Sequence, residues 1–383
     1  MIATNPGHAT TTIDEQAFLS KVQDFVTSYV LPNTREWEND RLPDDIFKRC
    51  SEIGLLGMTV PVVDGGHWVS CSAYCDACRI LAQGDPALSM NIAAINALCL
   101  GHLVKLTTPE QKSKYLAPAV RGELELAWGL TEPDAGSDAR RVQTKATPIA
   151  GRPGYFHLNG QKMFITNGGR ADLIIIIARV DEKNLSAFLM ETDQPGFRLG
   201  PRIPTIGVKA SWTSQFEMTD AVAWHTPCTF EEAISFLGRG RLAIAAMALG
   251  IAEKAHALTV DYATRREQFN RRLCDMQSVQ NMIADSETEI EAARLLVQKG
   301  AAMFDRGEDV TKAASMAKLF ASETSNRVTN RAIQIHGGRG MTFEHLVEKL
   351  WRDAKLTEIG EGCSEIQRMV IAKQVVNERA TKA

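Results

Sequence analysis

Leu173-Ile174-Ile175-Ile176-Ile177-Ala178 is a short, unbroken apolar run rich in β-branched isoleucine. It lacks the polar alternation of a half-exposed strand and is far too short to span a membrane. It predicts a β-strand buried on both faces. Ser186-Ala187-Phe188-Leu189-Met190-Glu191 reads as a second strand, closed by the turn residues Asp193-Gln194-Pro195-Gly196. From Leu124 to about Trp224, glycine and proline punctuate short apolar segments, as expected of strands and tight turns. On both sides of this region the apolar period is helical. The fold class is therefore α+β and multidomain. The expected units are an N-terminal α-helical domain (1–122), a middle β domain (123–230) and a C-terminal helical bundle (231–383).

The flanking helices carry their own signals. Asp14-Glu15-Gln16 opens a helix expected to run through Val30, and Pro43-Asp44-Asp45 opens one ending at Gly54. A break at Gly84-Asp85-Pro86 precedes a nearly apolar helix from Ala87 to Leu103, with Asn91 and Asn96 as unusual polar members. Buried amides must be hydrogen-bonded, so these two either satisfy the core or face a ligand. Thr108-Pro109-Glu110-Gln111 caps a further helix, with proline at its favoured first position. Three long amphipathic helices are expected at 231–266, 276–304 and 311–336. Short joints between long helices favour antiparallel packing.

The chain has 383 residues, 44% hydrophobic and 23% charged, with net charge −3. Nothing in that balance points to nucleic acid or to an anionic membrane surface. The polar start Met1–His8 lacks the basic and apolar regions of a signal peptide, and the expected location is cytoplasmic. Of eight cysteines, Cys71, Cys75 and Cys78 have a spacing that could serve a metal cluster. The same spacing puts them on one helical face, where small apolar residues are core, so no metal site is expected.

Four stretches carry the chemistry. Near the C-terminus, Gly360-Glu361-Gly362 holds a carboxylate between two glycines, just before a helix starting at Ser364. A general base needs such reach to a substrate proton, although a plain helix–turn–helix joint would look the same. Ala127-Trp128-Gly129-Leu130-Thr131-Glu132-Pro133-Asp134-Ala135-Gly136-Ser137-Asp138 runs from a strand into a turn whose amides and hydroxyls suit a carbonyl-rich ring or a phosphate; a solvent loop is the bland alternative. Asn159-Gly160 is a hairpin signal. Phe164 and Thr166 then fall two apart and should share a strand face. Arg331-Ala332-Ile333-Gln334-Ile335-His336-Gly337-Gly338 ends a helix in glycines that permit close approach.

In order and spacing, these stretches resemble the acyl-CoA dehydrogenase family of flavoproteins, in the short- and medium-chain type. The resemblance covers nearly the whole chain. It implies that family's fold: a helical N-terminal domain, a barrel-like β domain and a C-terminal four-helix bundle. It also implies FAD as cofactor, with Trp128, Leu130 and Thr131 meeting the flavin ring and Phe164 and Thr166 on its other edge. Ser137 would meet the pyrophosphate or the substrate's pantetheine arm. Cys363 and Glu365 follow the catalytic motif at the cofactor. Tyr262–Phe269 matches the segment that reaches a neighbouring subunit's FAD, so Arg266, Phe269, Gln277, Gln334, Gly337 and Gly338 imply an oligomer, expected to be a tetramer. Arg241 and Gly362 would lie near the thioester and its carrier arm, and Met90, Ala93 and Ala94 near the acyl group. Glu361 falls at the catalytic base. Some members place the base on the helix near Arg241, where this chain has Gly240, Leu242, Ala243 and Ile244, none able to take a proton.

The implied reaction is α,β-dehydrogenation of an acyl thioester, with electrons passed to an electron-transfer flavoprotein or to oxygen. Some residues depart from the family pattern. Asn270 replaces a glycine, and Cys363 replaces a threonine whose hydroxyl helps hold FAD. The join Ala221–Ala233 is short, and His67-Trp68 follow the Pro61–Gly66 loop. The short join keeps open a biosynthetic alternative, in which the acyl or aminoacyl (for example prolyl) group is tethered to a carrier protein. A non-catalytic flavin-binding protein is the reading of another class, which the retained Glu361 disfavours.

Overall fold

Helix α1 (Glu15–Phe25) starts where Asp14 accepts hydrogen bonds from the N–H groups of Gln16 and Ala17. The computed structural model describes residues 13–380; Met1–His8, read above for the absence of a signal peptide, lie outside them. The expected end at Val30 is overturned. The chain passes through one π-type turn, Val26–Val30, and continues as α2 (Leu31–Asn39). Pro32 is tolerated because it falls in the first turn of α2, where a backbone donor is dispensable. Next come α3 (Ile46–Glu52), α4 (Cys71–Gly84), α5 (Pro86–Ala94), a second π-type turn at Ile95–Leu100, α6 (Gly101–Lys105) and α7 (Pro109–Val120). Thr108 and Gln111 form a reciprocal capping box on α7.

Cys71, Cys75 and Cys78 are buried in α4. Among the described residues no group of three His, Cys, Asp or Glu could hold a metal ion. Asn91 and Asn96 are fully buried. Each Nδ2 donates to a carbonyl one turn back, Ala87 and Ile92 respectively, and Asn96 also donates to Leu55. Both amide nitrogens therefore serve the helical core, while both Oδ1 atoms are buried without a partner among the described residues.

The middle of the chain forms β1 (Leu126–Gly129), β2 (Lys145–Pro148), β3 (Tyr155–Ile165), β4 (Leu173–Arg179), β5 (Leu185–Glu191), β6 (Phe197–Arg202) and β7 (Ser214–Thr226). Strands β4, β2, β3, β7 and β5 pair in sequence, and β5 returns to β4 to close the sheet; β1 runs parallel beside β4, and β6 pairs with β7. The isoleucine run is β4, and its residues alternate between two cores. Ile174, Ile176 and Ala178 pack inside the closed sheet with Phe188, Met190 and Phe216. Leu173, Ile175 and Ile177 join the large core shared with the helices. Two apolar faces explain why the run shows no polar alternation.

Asn159-Gly160 is not a hairpin turn but lies inside β3. Gly160 has φ +151° at a bulge opposite Met218, and a Cβ there would come 2.5 Å from Thr144 Oγ1. The motif therefore marks close backbone approach. The turn before β3 instead uses Gly151 and Gly154.

The C-terminal part holds α8 (Phe230–Ile234), α9 (Leu237–Arg265), a small hairpin β8 (Glu267–Gln268) and β9 (Arg271–Arg272), α10 (Gln277–Asp305), α11 (Thr311–His336), α12 (Val347–Ile359) and α13 (Ser364–Ala380). The expected single helix over 231–266 breaks at Ser235-Phe236. Helix α9 is buried along most of its length, against α4, α11 and α10. A buried ionic cluster ties the three regions together. Lys349 Nζ lies 2.7 Å from Asp353 and 3.1 Å from Asp85. Asp85 caps α5 through the N–H of Leu88 and accepts from Thr34, while Asp353 accepts from the N–H of Val208.

Candidate active site

Helix α12 ends at Ile359, and the chain turns through Gly360-Glu361-Gly362 before Ser364 begins α13. Glu361 has φ +54° and Gly362 φ +93°. A left-handed non-glycine residue is uncommon and marks a site worth testing for function. Gln367 Nε2 donates to the carbonyls of both residues. The turn lays the Glu361 side chain against α9 at Gly240, where a Cβ would sit 2.0 Å from Oε2. Gly240 is thus a notch that admits the carboxylate. Glu361 as a whole is half-buried, but Oε2 is shut off from solvent and has no hydrogen-bond partner among the described residues.

Burial pushes the Glu361 carboxyl up to about 7, opposed by the charges of Arg241 and Lys318. Burial also lowers the Arg241 guanidinium, countered by Glu361. Lys318 Nζ donates to the Gly362 carbonyl at 2.7 Å. Tyr74 hydroxyl donates to the Ala93 carbonyl at 2.9 Å. Met90 and Ala93 are buried on α5 and Ala94 half-buried, and α5 packs on α9. Cys363 Sγ lies 3.8 Å from Ser137 Oγ, which brings the tip of the Thr131–Asp138 turn to the base-bearing joint. Glu365 is exposed in the first turn of α13, where its own N–H and the Cys363 side chain hold its carboxyl down.

The Thr131 turn is pinned from behind by a residue that pattern reading gave no role. Lys162, almost fully buried in β3, donates to the carbonyls of Leu130 and Ile177 and to Glu132 Oε1. Glu132 also accepts from Thr144 and from the N–H of Gln143. The N–H of Met163 donates to the Thr131 carbonyl, which brings the second and third motifs side by side. A lysine inside a strand that closes a barrel was the available signal. The expected shared face of Phe164 and Thr166 is corrected: the β3–β7 register slips between Lys162 and Ile165, the strand stops at Ile165, and Phe164 has φ +58°. The bulge turns the Phe164 ring outward, leaving it 56% exposed. Trp128 Nε1 is enclosed without a partner among the described residues.

The remaining predicted residues are not brought to this place. Arg266, Phe269, Gln277, Gln334, Gly337 and Gly338 are all exposed, with Phe269 90% exposed. Gln334 lies sixteen residues beyond Lys318 on α11, about 24 Å at 1.5 Å per residue. Within one chain the two sets form separate patches.

Models of the acyl-CoA dehydrogenase N-terminal, middle and C-terminal domains match residues 12–123, 127–221 and 230–376. A probable acyl-CoA dehydrogenase of Bacillus subtilis is 37% identical over 95% of this chain and 98% of its own. A short-chain specific acyl-CoA dehydrogenase of Megasphaera elsdenii is 37% identical over 93% and 96%. Among solved structures, butyryl-CoA dehydrogenase from Megasphaera elsdenii superposes with TM-score 0.90 at 35% identity, covering 95% of this chain and 98% of that one. A chain from work on the electron transferring flavoprotein of Acidaminococcus fermentans gives 0.90 at 35%, covering 96% and 99%. A glutaryl-CoA dehydrogenase from Mycobacterium smegmatis, in complex with FADH2, gives 0.90 at 27%, covering 95% of each. The order of domains, the closed sheet between helical units and these full-length matches agree: the chain belongs to the acyl-CoA dehydrogenase family, oxidoreductases that act on CH–CH groups.

Proposed function

We propose that this protein is an FAD-dependent dehydrogenase of short-chain acyl-CoA thioesters in which Glu361 removes the α proton. The observation that carries this reading is the Glu361 carboxyl, enclosed against Gly240 and pushed up to about 7. A general base works best with a pKa near the working pH. Arg241 and Lys318 keep its charged, proton-accepting form accessible despite burial. FAD fits the opposite wall. Trp128 offers an unused enclosed N–H, Phe164 presents an exposed ring, and Leu130, Thr131 and Thr166 border them. When bound, FAD supplies the acceptor for the β hydride at its N5. Arg266, Phe269, Gln277, Gln334, Gly337 and Gly338 serve the cofactor of a second copy in a tetramer. Ser137, Gly362, Met90, Ala93 and Ala94 border the thioester and its acyl chain.

The carrier-protein alternative rested on the short join after Asp220. That join is a tied corner. Ser186 Oγ donates to the Cys228 carbonyl and meets His225 Nε2 at 2.8 Å, and Thr229 with Glu232 forms a capping box on α8. The similarity to short-chain acyl-CoA and butyryl-CoA dehydrogenases favours a CoA ester over a carrier-bound one. An electron-transferring flavoprotein is the proposed electron acceptor, and the cytoplasm the proposed location. Anaerobic titration with acyl-CoA esters of graded length tests the reading. Butyryl-CoA should bleach the flavin absorbance, and Glu361→Gln should keep FAD but lose bleaching. A Glu361→Gln enzyme that bleaches at the wild-type rate refutes it.

A further inference from the structure

Lys318 sits fully buried on α11, directly behind the joint that carries Glu361. It donates a hydrogen bond to the Gly362 carbonyl, one residue beyond the base. Gln367 donates to that same carbonyl at 2.9 Å. Two donors therefore converge on the carbonyl that closes the left-handed pair Glu361-Gly362. Such a backbone persists where its surroundings over-determine it. A neutral donor would suffice for that clamp. An ammonium is costly to bury unless its charge is answered, so its presence calls for a second role.

The charged and titratable groups around the base come from several elements. Arg241 faces it from α9 and Lys318 from α11. Tyr74 on α4 feels Glu361 across the cleft. Glu358 on α12 and Cys363 in the joint act on Lys318, as does Glu361 itself. Burial lowers the Lys318 ammonium to about 8, so it remains largely charged at neutral pH.

Resting on the reading of Glu361 as the base, we propose that Lys318 is a positioning residue for proton abstraction. It locks the Gly362 peptide, which fixes the left-handed turn at Glu361, and it holds a positive charge behind the carboxylate. The sign follows. Removing the charge destabilises the ionised carboxylate, so the acid limb of the rate profile should move to higher pH.

The test uses the FAD-loaded enzyme with butyryl-CoA, following anaerobic flavin bleaching on both sides of neutral pH, together with FAD content and thermal melting. Lys318→Gln retains a donor for Gly362 without charge, and Lys318→Met retains neither. Both should keep FAD and move the acid limb up by about one pH unit, about tenfold in ionised fraction at a given pH below it. Lys318→Gln should keep the plateau rate within a few-fold, while Lys318→Met should lose about tenfold from the loosened turn. An unmoved acid limb overturns the proposal, whatever the plateau does. Failure of both variants to fold also overturns it, because Lys318 would then be a structural residue. Glu361→Gln run alongside separates the two readings. If it still bleaches, the base assignment falls and this proposal with it. If it is dead beside unshifted Lys318 variants, this proposal alone falls.

Discussion

Lys349→Met is the sharpest probe of how the fold holds the site. Lys349, Asp85 and Asp353 are each at most 2% exposed, and they come from α12 and from the α4–α5 corner. Methionine fills a similar volume, so the loss is electrostatic. Two carboxylates would remain buried without their cation. Breaking a buried ion pair from one side costs about 3–5 kcal/mol. In a chain this long that corresponds to a fall in melting temperature of about 5 °C. The pair with Asp353 and Asp85 raises the Lys349 ammonium above its ordinary value. Its stabilisation is therefore complete below the unfolded lysine value and is lost only as pH rises through the folded one, so a neutral-pH melt reads all of it. The assay is release of flavin fluorescence on heating the FAD-loaded enzyme. Adding Asp353→Asn removes one orphaned charge while keeping an acceptor for the Val208 N–H, and should restore about half the loss. A Lys349→Met enzyme melting within about 1 °C of wild type would refute the reasoning.

Other outcomes follow from the same geometry. Lys162→Met leaves Glu132 buried without its cation; it should cost about 3–5 kcal/mol in a thermal melt and weaken FAD binding, because the Leu130–Thr131 turn loses its anchor. Cys363→Thr restores a hydroxyl beside Ser137 and should tighten FAD binding by about 0.5–1.5 kcal/mol, read by fluorescence titration of the apoprotein. Phe269→Asp places a charge on a ring that is 90% exposed in one chain; if a second copy covers it, sedimentation should show dissociation together with loss of FAD. With Glu361 near 7, kcat/KM should fall about tenfold per pH unit below that value, since the protonated acid cannot accept the α proton.

The residues that report on solvent and period were legible in the sequence. The isoleucine run gave a doubly buried strand because both of its faces meet apolar cores, and the Thr108 and Asp14 caps marked helix starts because their chemistry is local. What was illegible depends on contacts far apart in the chain. Asn159-Gly160 looks like a turn, but the glycine is needed for Thr144 to approach it across the sheet. The helix opened by Asp14 passes Pro32 because a π-type turn precedes it, and no local pattern announces such a turn. At the site, Glu361 and the Thr131 turn were visible as motifs. Lys162 and Lys318 were not, because a buried lysine is recognised by the carbonyls around it.

Gly240 and Glu361 must be read as a pair. A carboxylate held in a left-handed backbone stores strain of about 1–3 kcal/mol, which an exposed joint would relax. Here the joint is fixed at both ends. Upstream, α12 is tied to the Val208 N–H through Asp353 and to Asp85 through Lys349; downstream, Gln367 on α13 holds the Glu361 and Gly362 carbonyls. Between these anchors the side chain enters the space that a Cβ at position 240 would occupy. In this conformation, a side chain on α9 at that position and the Glu361 carboxylate exclude one another. Placing the carboxylate on the joint leaves it backed by the start of a helix and by two cations, while α9 needs only a glycine. The absence of a side chain at position 240 is thus as much a part of the site as the base that fills its place.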